Sequence, residues 1–251
     1  MKTSGLGDFY WVGGNDLSGD TNSLSKISGS QATIDVTGIN KGAYERLGGL
    51  RDGQIAWTSY FNPTGAHPVL SALPTADTLT TYVANGGVVG SSAIGNASAC
   101  MQAKQLNYDG TRAQGGAYTF AVTADANQYG LEWGQMLTAG IRTDTAATNG
   151  ASLNGLAATS FGAQAYLQVF SFTGTDVTVK LQDSADNSTF ADVASGAFAQ
   201  TTSGPGWQRI ALSNVATLRQ YVRASTVTTG GFTNLQFAVV LVRNQTSGQV
   251  F

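Results

Sequence analysis

The chain is expected to be all-β, and three observations predict this class. Short stretches of alternating polarity recur along most of its length, glycine-containing turn signals separate them, and no helical periodicity persists beyond about three turns. Thr33–Thr37 alternates strictly, with Ile34 and Val36 on one face and Thr33, Asp35 and Thr37 on the other. Gln54–Phe61 alternates as well and sets Ile55, Trp57, Ser59 and Phe61 on one side. Further strands are expected at Thr78–Val83, Ala99–Tyr108, Ala117–Ala124, Ala165–Phe172, Val177–Asp183, Trp207–Leu212, Tyr221–Val227 and Leu235–Arg243. Gly13-Gly14, Gly48-Gly49, Asn85-Gly86-Gly87, Gly115-Gly116, Asn149-Gly150 and Gly230-Gly231 punctuate them. Short helices are expected at Lys41–Leu47 and Pro68–Leu73.

A length of 251 residues suits one large β domain or two smaller ones. Thr143–Leu156, rich in Thr, Ala, Asn and Gly, offers the least to pack. A boundary is therefore expected there, giving a β-sandwich or barrel with a short helix over 1–145 and a second, small β-sandwich over 146–251.

Only 11% of residues are charged, against about 25% in an ordinary soluble domain. Glycine numbers 32 and proline 4, with uncharged polar residues filling much of the rest. A free monomer ordinarily carries both signs of charge for solubility, so this composition suits a surface covered by other copies of the chain. A secreted β-domain with a Thr- and Asn-rich face is the alternative. The net charge of −2 gives no basic footprint for tight nucleic-acid binding. Eight basic and 11 acidic residues precede position 151, and 5 basic and 4 acidic follow it, so the excess of acid lies in the first part. No leader peptide and no run of about 20 apolar residues is visible, so a cytoplasmically made protein with no membrane partner is expected.

Enzyme constellations are thin, and no catalytic, cofactor-binding or metal site is expected. His67 is the single histidine and Cys100 the single thiol, so triad chemistry would have to pass through them. Glu45 and Glu132 are the only glutamates, which leaves little for paired-carboxylate glycan hydrolysis. Asp183–Thr189 is rich in oxygen ligands but lacks the spacing and twelfth-position glutamate of a calcium loop, and reads as a tight turn. Cys100 reads as a small buried apolar side chain. Trp207, Tyr221 and Phe190 have the chemistry to stack on sugar rings, which supports a carbohydrate-binding module as the second functional reading.

Several apolar side chains fall outside strand periodicity. Phe9-Tyr10-Trp11 follows a glycine-rich start, and Phe251 closes the chain. Three consecutive aromatics in a terminal arm call for docking on the same subunit or a neighbour. Gly38–Gly53 carries Ile39, Tyr44, Leu47 and Leu50 among charged residues, Arg51 included, as a small capping helix or an intersubunit contact.

The order of several phrases resembles the major tail (tail tube) proteins of long-tailed bacteriophages, especially those infecting actinobacteria. The phrases are Asp16–Ile27, Gly49-Leu-Arg-Asp-Gly53 leading into the strand that ends at Phe61-Asn62, His67–Pro74, Ala103–Asp109, Tyr129-Gly-Leu-Glu-Trp-Gly134 and Val177–Phe190. The likeness spans residues 8–243, with Asp183 standing where that family usually has a histidine.

The resemblance implies a non-enzymatic virion protein. Six copies would form a ring, and rings would stack into a hollow tail tube that conducts DNA during ejection without gripping it. It further implies tail terminator, tape measure and baseplate proteins as partners, a virion location, and no cofactor. On that basis Phe9, Tyr10, Trp11, Ile39, Tyr44, Leu47, Leu50, Arg51 and Phe251 are the expected subunit-interface residues, and Asp35 is a candidate for the lumen.

Overall fold

The computed structural model describes residues 2–248, so the expectation for Phe251 lies outside the described residues. The chain is nearly all β. Its elements are β1 (Phe9–Val12), β2 (Asn15–Asp16), β3 (Thr21–Asp35), β4 (Arg46–Tyr60), α1 (Ala66–Leu70), β5 (Thr78–Val83), β6 (Ala97–Gln105), β7 (Asp109–Arg112), β8 (Tyr118–Ala126) and β9 (Glu132–Met136). There follow β10 (Arg142–Asp144), β11 (Asn149–Asn154), β12 (Ala163–Gly174), β13 (Thr178–Ser184), β14 (Ala191–Ala197), β15 (Gly206–Ala211), β16 (Tyr221–Val227) and β17 (Phe232–Arg243).

The chain divides into two compact units, but not at residue 145. The first comprises residues up to Gly19, Leu79–Cys100 and Trp133 onward; the second comprises Asp20–Thr78 and Met101–Glu132. The expected boundary fails because β10 pairs with β17, Arg142 opposite Phe237 and Asp144 opposite Leu235. Arg142 reinforces this join. Its guanidinium donates twice to Asp144, at 2.7 Å each, and to the carbonyls of Ala224 and Thr148. A segment poor in apolar residues is thus held by polar bonds to partners some 80 to 95 positions away, which local composition does not reveal.

In the first unit β12 and β17 pair along nearly their full lengths, from Ala163 opposite Arg243 to Gly174 opposite Phe232. Successive side chains of a strand point to opposite faces, so a continuous apolar run marks a strand covered on both. Phe237–Val242 is such a run. Phe237, Val239 and Leu241 join Val179, Leu181, Val222 and Ala224, which come from the separate four-stranded sheet β11-β16-β13-β14. Ala238, Val240 and Val242 join Trp11, Leu79, Val83, Cys100, Met136 and Tyr166 on the other side. Gln168 is buried yet fully used: it accepts from the Gly14 amide and donates to Leu79 and to the Thr81 hydroxyl. Gly14 sits at φ +82°, and a Cβ there would lie 2.3 Å from the Val169 carbonyl, so the β1–β2 turn needs glycine.

The same core corrects one sequence expectation. Tyr10 and Trp11 are core residues, 1% and 0% exposed, and Phe9 is half-buried beside them. The Trp11 ring meets Phe170 edge-on at 5.3 Å. Pairing of β1 with β5 draws all three inward, so the aromatics dock within the chain and the surface of Tyr10 and Trp11 is not available to a neighbour.

The second unit is built on β3, β4 and β8, with β7 and the end of β6 both on β8. Ile55, Trp57 and Ser59 stand opposite Ala124, Val122 and Phe120, and this face is buried. α1 is one short turn fixed from outside: Asp20 accepts from the Ala66 amide at 2.9 Å, and Gln105 donates to the Leu70 carbonyl at 2.8 Å. The expected helix over Lys41–Leu47 does not form. Gly38, Gly42, Gly48 and Gly49 are poor helix residues, and strand pairing of Ile34 with Leu47 and of Asp35 with Arg46 takes the segment instead.

Leu241 is 2% exposed and belongs to the larger core. Leu241→Ala is expected to destabilise the chain by about 2–5 kcal/mol, read as a lowered urea midpoint with unchanged slope.

Candidate functional site

The feature of the second unit that local packing does not account for is the β3–β4 hairpin. β3 pairs with β4 from Thr21 opposite Ser59 to Asp35 opposite Arg46. β8 covers the other edge of β4 only over Gln54–Tyr60. Among the described residues, Arg46–Gly53 of β4 therefore has one free edge, and β3 has a free edge throughout. Beyond Gly53 the hairpin is a two-stranded ribbon, about 25 Å long at 3.3 Å per residue. Isolated two-stranded ribbons are marginal in water, and open edges are templates for pairing.

Register assigns the side chains to two faces. One continues the core face and carries Ile27, Gln31, Ile34, Leu47 and Arg51. The other carries Lys26, Ser28, Ser30, Asp35, Arg46, Leu50 and Asp52, and runs on into Gln54, Ala56, Thr58, Thr123 and Asp125. Thr33, opposite Gly48, shares this polar face with Asp35, as the alternation of the sequence predicts. Apolar exposure is heavy: Leu50 is 86% exposed, Tyr44 72% and Leu47 57%, with Ile39 fully in solvent at the tip. Arg51 is exposed as well.

This exposure does not come from a loose loop. The Asp35 carboxylate accepts from the Thr37 hydroxyl at 2.6 Å and the Thr37 amide at 2.9 Å, and the Thr37 hydroxyl accepts from the Glu45 amide. Those Thr37 bonds, the hydroxyl first, hold the Asp35 carboxyl below its ordinary range and keep it ionised. Lys41 pairs with Glu45 at 3.0 Å, and the Arg46 guanidinium lies 4.6 Å from the centre of the Tyr44 ring. Polar bonds thus order the tip while its apolar side chains face water.

The ribbon is clamped where it leaves the sheet. Gly29 and Gly53 face each other across the strands, and Leu131 lies over both. A Cβ on Gly53 would meet the Leu131 nitrogen at 2.6 Å and the Met101 sulfur at 2.9 Å. A Cβ on Gly130 would meet Arg51 and Asp52 at 3.1 Å. Arg51-Asp-Gly53 and Gly130-Leu131, about 80 residues apart in sequence, therefore form one junction. The glycines were the available signal, but sequence order does not say which backbone each one admits.

The remaining candidates do not converge. His67 lies among Phe61, Tyr108 and Phe120, with Nδ1 3.1 Å from the Tyr108 hydroxyl. Glu132 is buried. Asp186 accepts from Ser184, Ser188 and Thr189 as a tight turn requires, and Asp183 pairs with Arg219 at 2.9 Å. Trp207 packs against the core of the large sheet, whereas Phe190 lies under Arg223 at 4.0 Å and Tyr221 belongs to the four-stranded sheet. A cavity of about 300 Å³ in the first unit is walled by Ile94, Leu137 and Thr138, and its charged residue Arg142 is held by Asp144. Among the described residues no three His, Cys, Asp or Glu side chains are grouped to hold a metal, and no helix is long and apolar enough to cross a membrane.

No protein-family model matches the chain, and no curated protein matches it. Among solved structures it is similar to the SPP1 Dit (gp 19.1) protein, described as a paradigm of the hub adsorption apparatus in phages infecting Gram-positive bacteria. Identity is 14% and the TM-score 0.31, over 94% of this chain and 98% of that one. The likeness is distant in sequence and in geometry.

Gly53→Ala is expected to cost about 1–3 kcal/mol, because neither the Leu131 backbone nor Met101 has room to give. Gly42→Ala, with nothing within 4 Å, is the control and should stay within about 0.5 kcal/mol of the parent by urea denaturation.

Proposed function

We propose that this protein is a structural subunit of a bacteriophage tail, and that its finer role is that of a tail tube protein. Six copies close into a ring, and rings stack into a hollow tube that carries DNA out of the virion. The observation that supports this most directly is the ordered β3–β4 ribbon with open strand edges and exposed Ile39, Tyr44, Leu47 and Leu50. Low charge and the ordered run of tail-protein phrases agree with it.

The assembly follows from the kind of contact such a ribbon makes. Its two edges differ, so copies join head to tail; such contacts close into a ring when the rotation allows and otherwise continue as a filament. In this reading the edge that would invite aggregation in a monomer becomes the lateral bond. The polar face of the second unit then lines the channel. It carries Lys26, Arg46 and Lys104 against Asp35, Asp52, Asp109 and Asp125, with hydroxyl and amide groups between them. A wall with one net negative charge repels phosphate, where a basic wall would retain it through counterion release.

Electron microscopy of the purified protein tests the reading. Long hollow tubes support it; discrete particles that bind glycans support the carbohydrate-binding alternative. Leu47→Asp combined with Leu50→Asp is expected to keep the parent circular dichroism and stability, within about 0.5 kcal/mol for surface positions, while abolishing tubes. Tube formation by this variant at the parent concentration would remove the ribbon from the interface.

A further inference from the structure

The open edges of the β3–β4 hairpin carry unmatched charges of opposite sign. On the polar face β3 presents Lys26, which stands opposite Ala56 and has no ion-pair partner among the described residues. The free stretch of β4 presents Asp52 on the same face, opposite Ser30, with its carboxylate accepting from the adjacent Gly53 amide. Other charges on the ribbon are engaged nearby: Asp35 by Thr37, Arg46 by the Tyr44 ring, and Lys41 by Glu45.

We propose that the outer edge of β3 takes up the free edge of β4 from a second copy of this chain, antiparallel, in the register that sets Lys26 against Asp52. The inference rests on the tube reading and adds to it the register and the residues that fix it. Copies related by rotation about one axis keep their strand directions, so β3 of one copy meets β4 of the next antiparallel, as within the hairpin. Alternation of side chains then allows only registers that differ by two residues, because an odd shift would turn polar residues onto the apolar face. Within one chain Lys26 faces Ala56. A shift of four residues between copies brings Asp52 there and keeps both charges on the polar face.

The same register lays Arg46–Gly53 of the second copy along Ser25–Ala32. The free edge of β4 is thereby covered up to the point where its own β8 takes over at Gln54. Opposite charges directly across a strand pair favour the register, and like charges oppose it.

Lys26→Cys combined with Asp52→Cys reads the register directly. Within one chain the two positions are offset by four residues, about 13 Å along the strand, beyond the reach of a disulfide. Cys100 is buried and does not compete. Oxidation of assembled double variant should give a ladder of linked chains on a non-reducing gel, and each single variant should give none. Lys26→Asp or Asp52→Lys alone should raise the concentration needed for assembly about tenfold, and the two together should restore it. Tubes that yield no ladder, or a double reversal that assembles no better than the single ones, overturn the register while leaving the tube reading in place. A parent protein that never assembles overturns both.

Discussion

A β-strand shields both rows of its backbone groups from water only where partners lie on both sides, and among the described residues the second partner of β4 ends at Gln54. On one side of that residue β4 lies between β3 and β8; on the other, from Gly53 to Arg46, β3 is its one partner among the described residues. The change coincides with the Gly29–Gly53 pair beneath Leu131, where the 128–131 loop crosses the hairpin too closely for any side chain. The crossing fixes the base of the ribbon and ends the sheet on that side. The exposed apolar residues of the tip, the free edge of β4 and the polar bonds that order the turn all lie past this point.

The first unit shows how the same backbone demand is met when strands are plentiful. β17 has strand partners on both edges and apolar cover on both faces, so it tolerates an unbroken apolar sequence. Polar groups that enter this core arrive with partners, as Gln168 does with Gly14, Leu79 and Thr81. The ribbon has the opposite character. Its local hydrogen bonds are good, yet Ile39, Tyr44, Leu47 and Leu50 stand exposed among the described residues. That contrast between a sealed unit and an unsealed arm points to assembly more strongly than composition alone.

Much of the strand pattern was legible in the sequence because period-two alternation survives wherever one face is buried. Tyr221–Val227 and Thr78–Val83 appear in the structure with the bounds that alternation and turn residues predict. Gly38–Gly53 reads in the sequence as a small capping helix or an intersubunit contact. The strand character of its Arg46–Leu47 end depends on Asp35 and Ile34, partners across the turn, while Tyr44, Leu47 and Leu50 stay exposed. For Phe9–Trp11 the sequence leaves docking on the same subunit or on a neighbour open, because nothing nearby in sequence reveals that β5, about 70 residues on, lies beside it. The boundary near residue 145 failed for the same reason: its partners lie on β17. Non-local pairing is what a single sequence hides, and the junction of Gly53 with Leu131 is its clearest case.

An open edge with exposed leucine and isoleucine is ordinarily a route to indiscriminate aggregation, and the ribbon carries features that narrow its choice of partner. β3 shifts register against β4 at Thr21/Ser23, Leu24/Lys26 and Gln31/Thr33, so its outer edge is not the flat, even template that generic strand addition needs. Lys26 and Asp52 on the polar face penalise any approach that brings like charges together. Gly29, Gly48, Gly49 and Gly53 keep that stretch free of the dense β-branched packing from which dry zippers are made. An edge so restricted is a poor general adhesive. It suits a strand whose faces and charges complement its own, as the free edge of β4 from a second copy does in the proposed register.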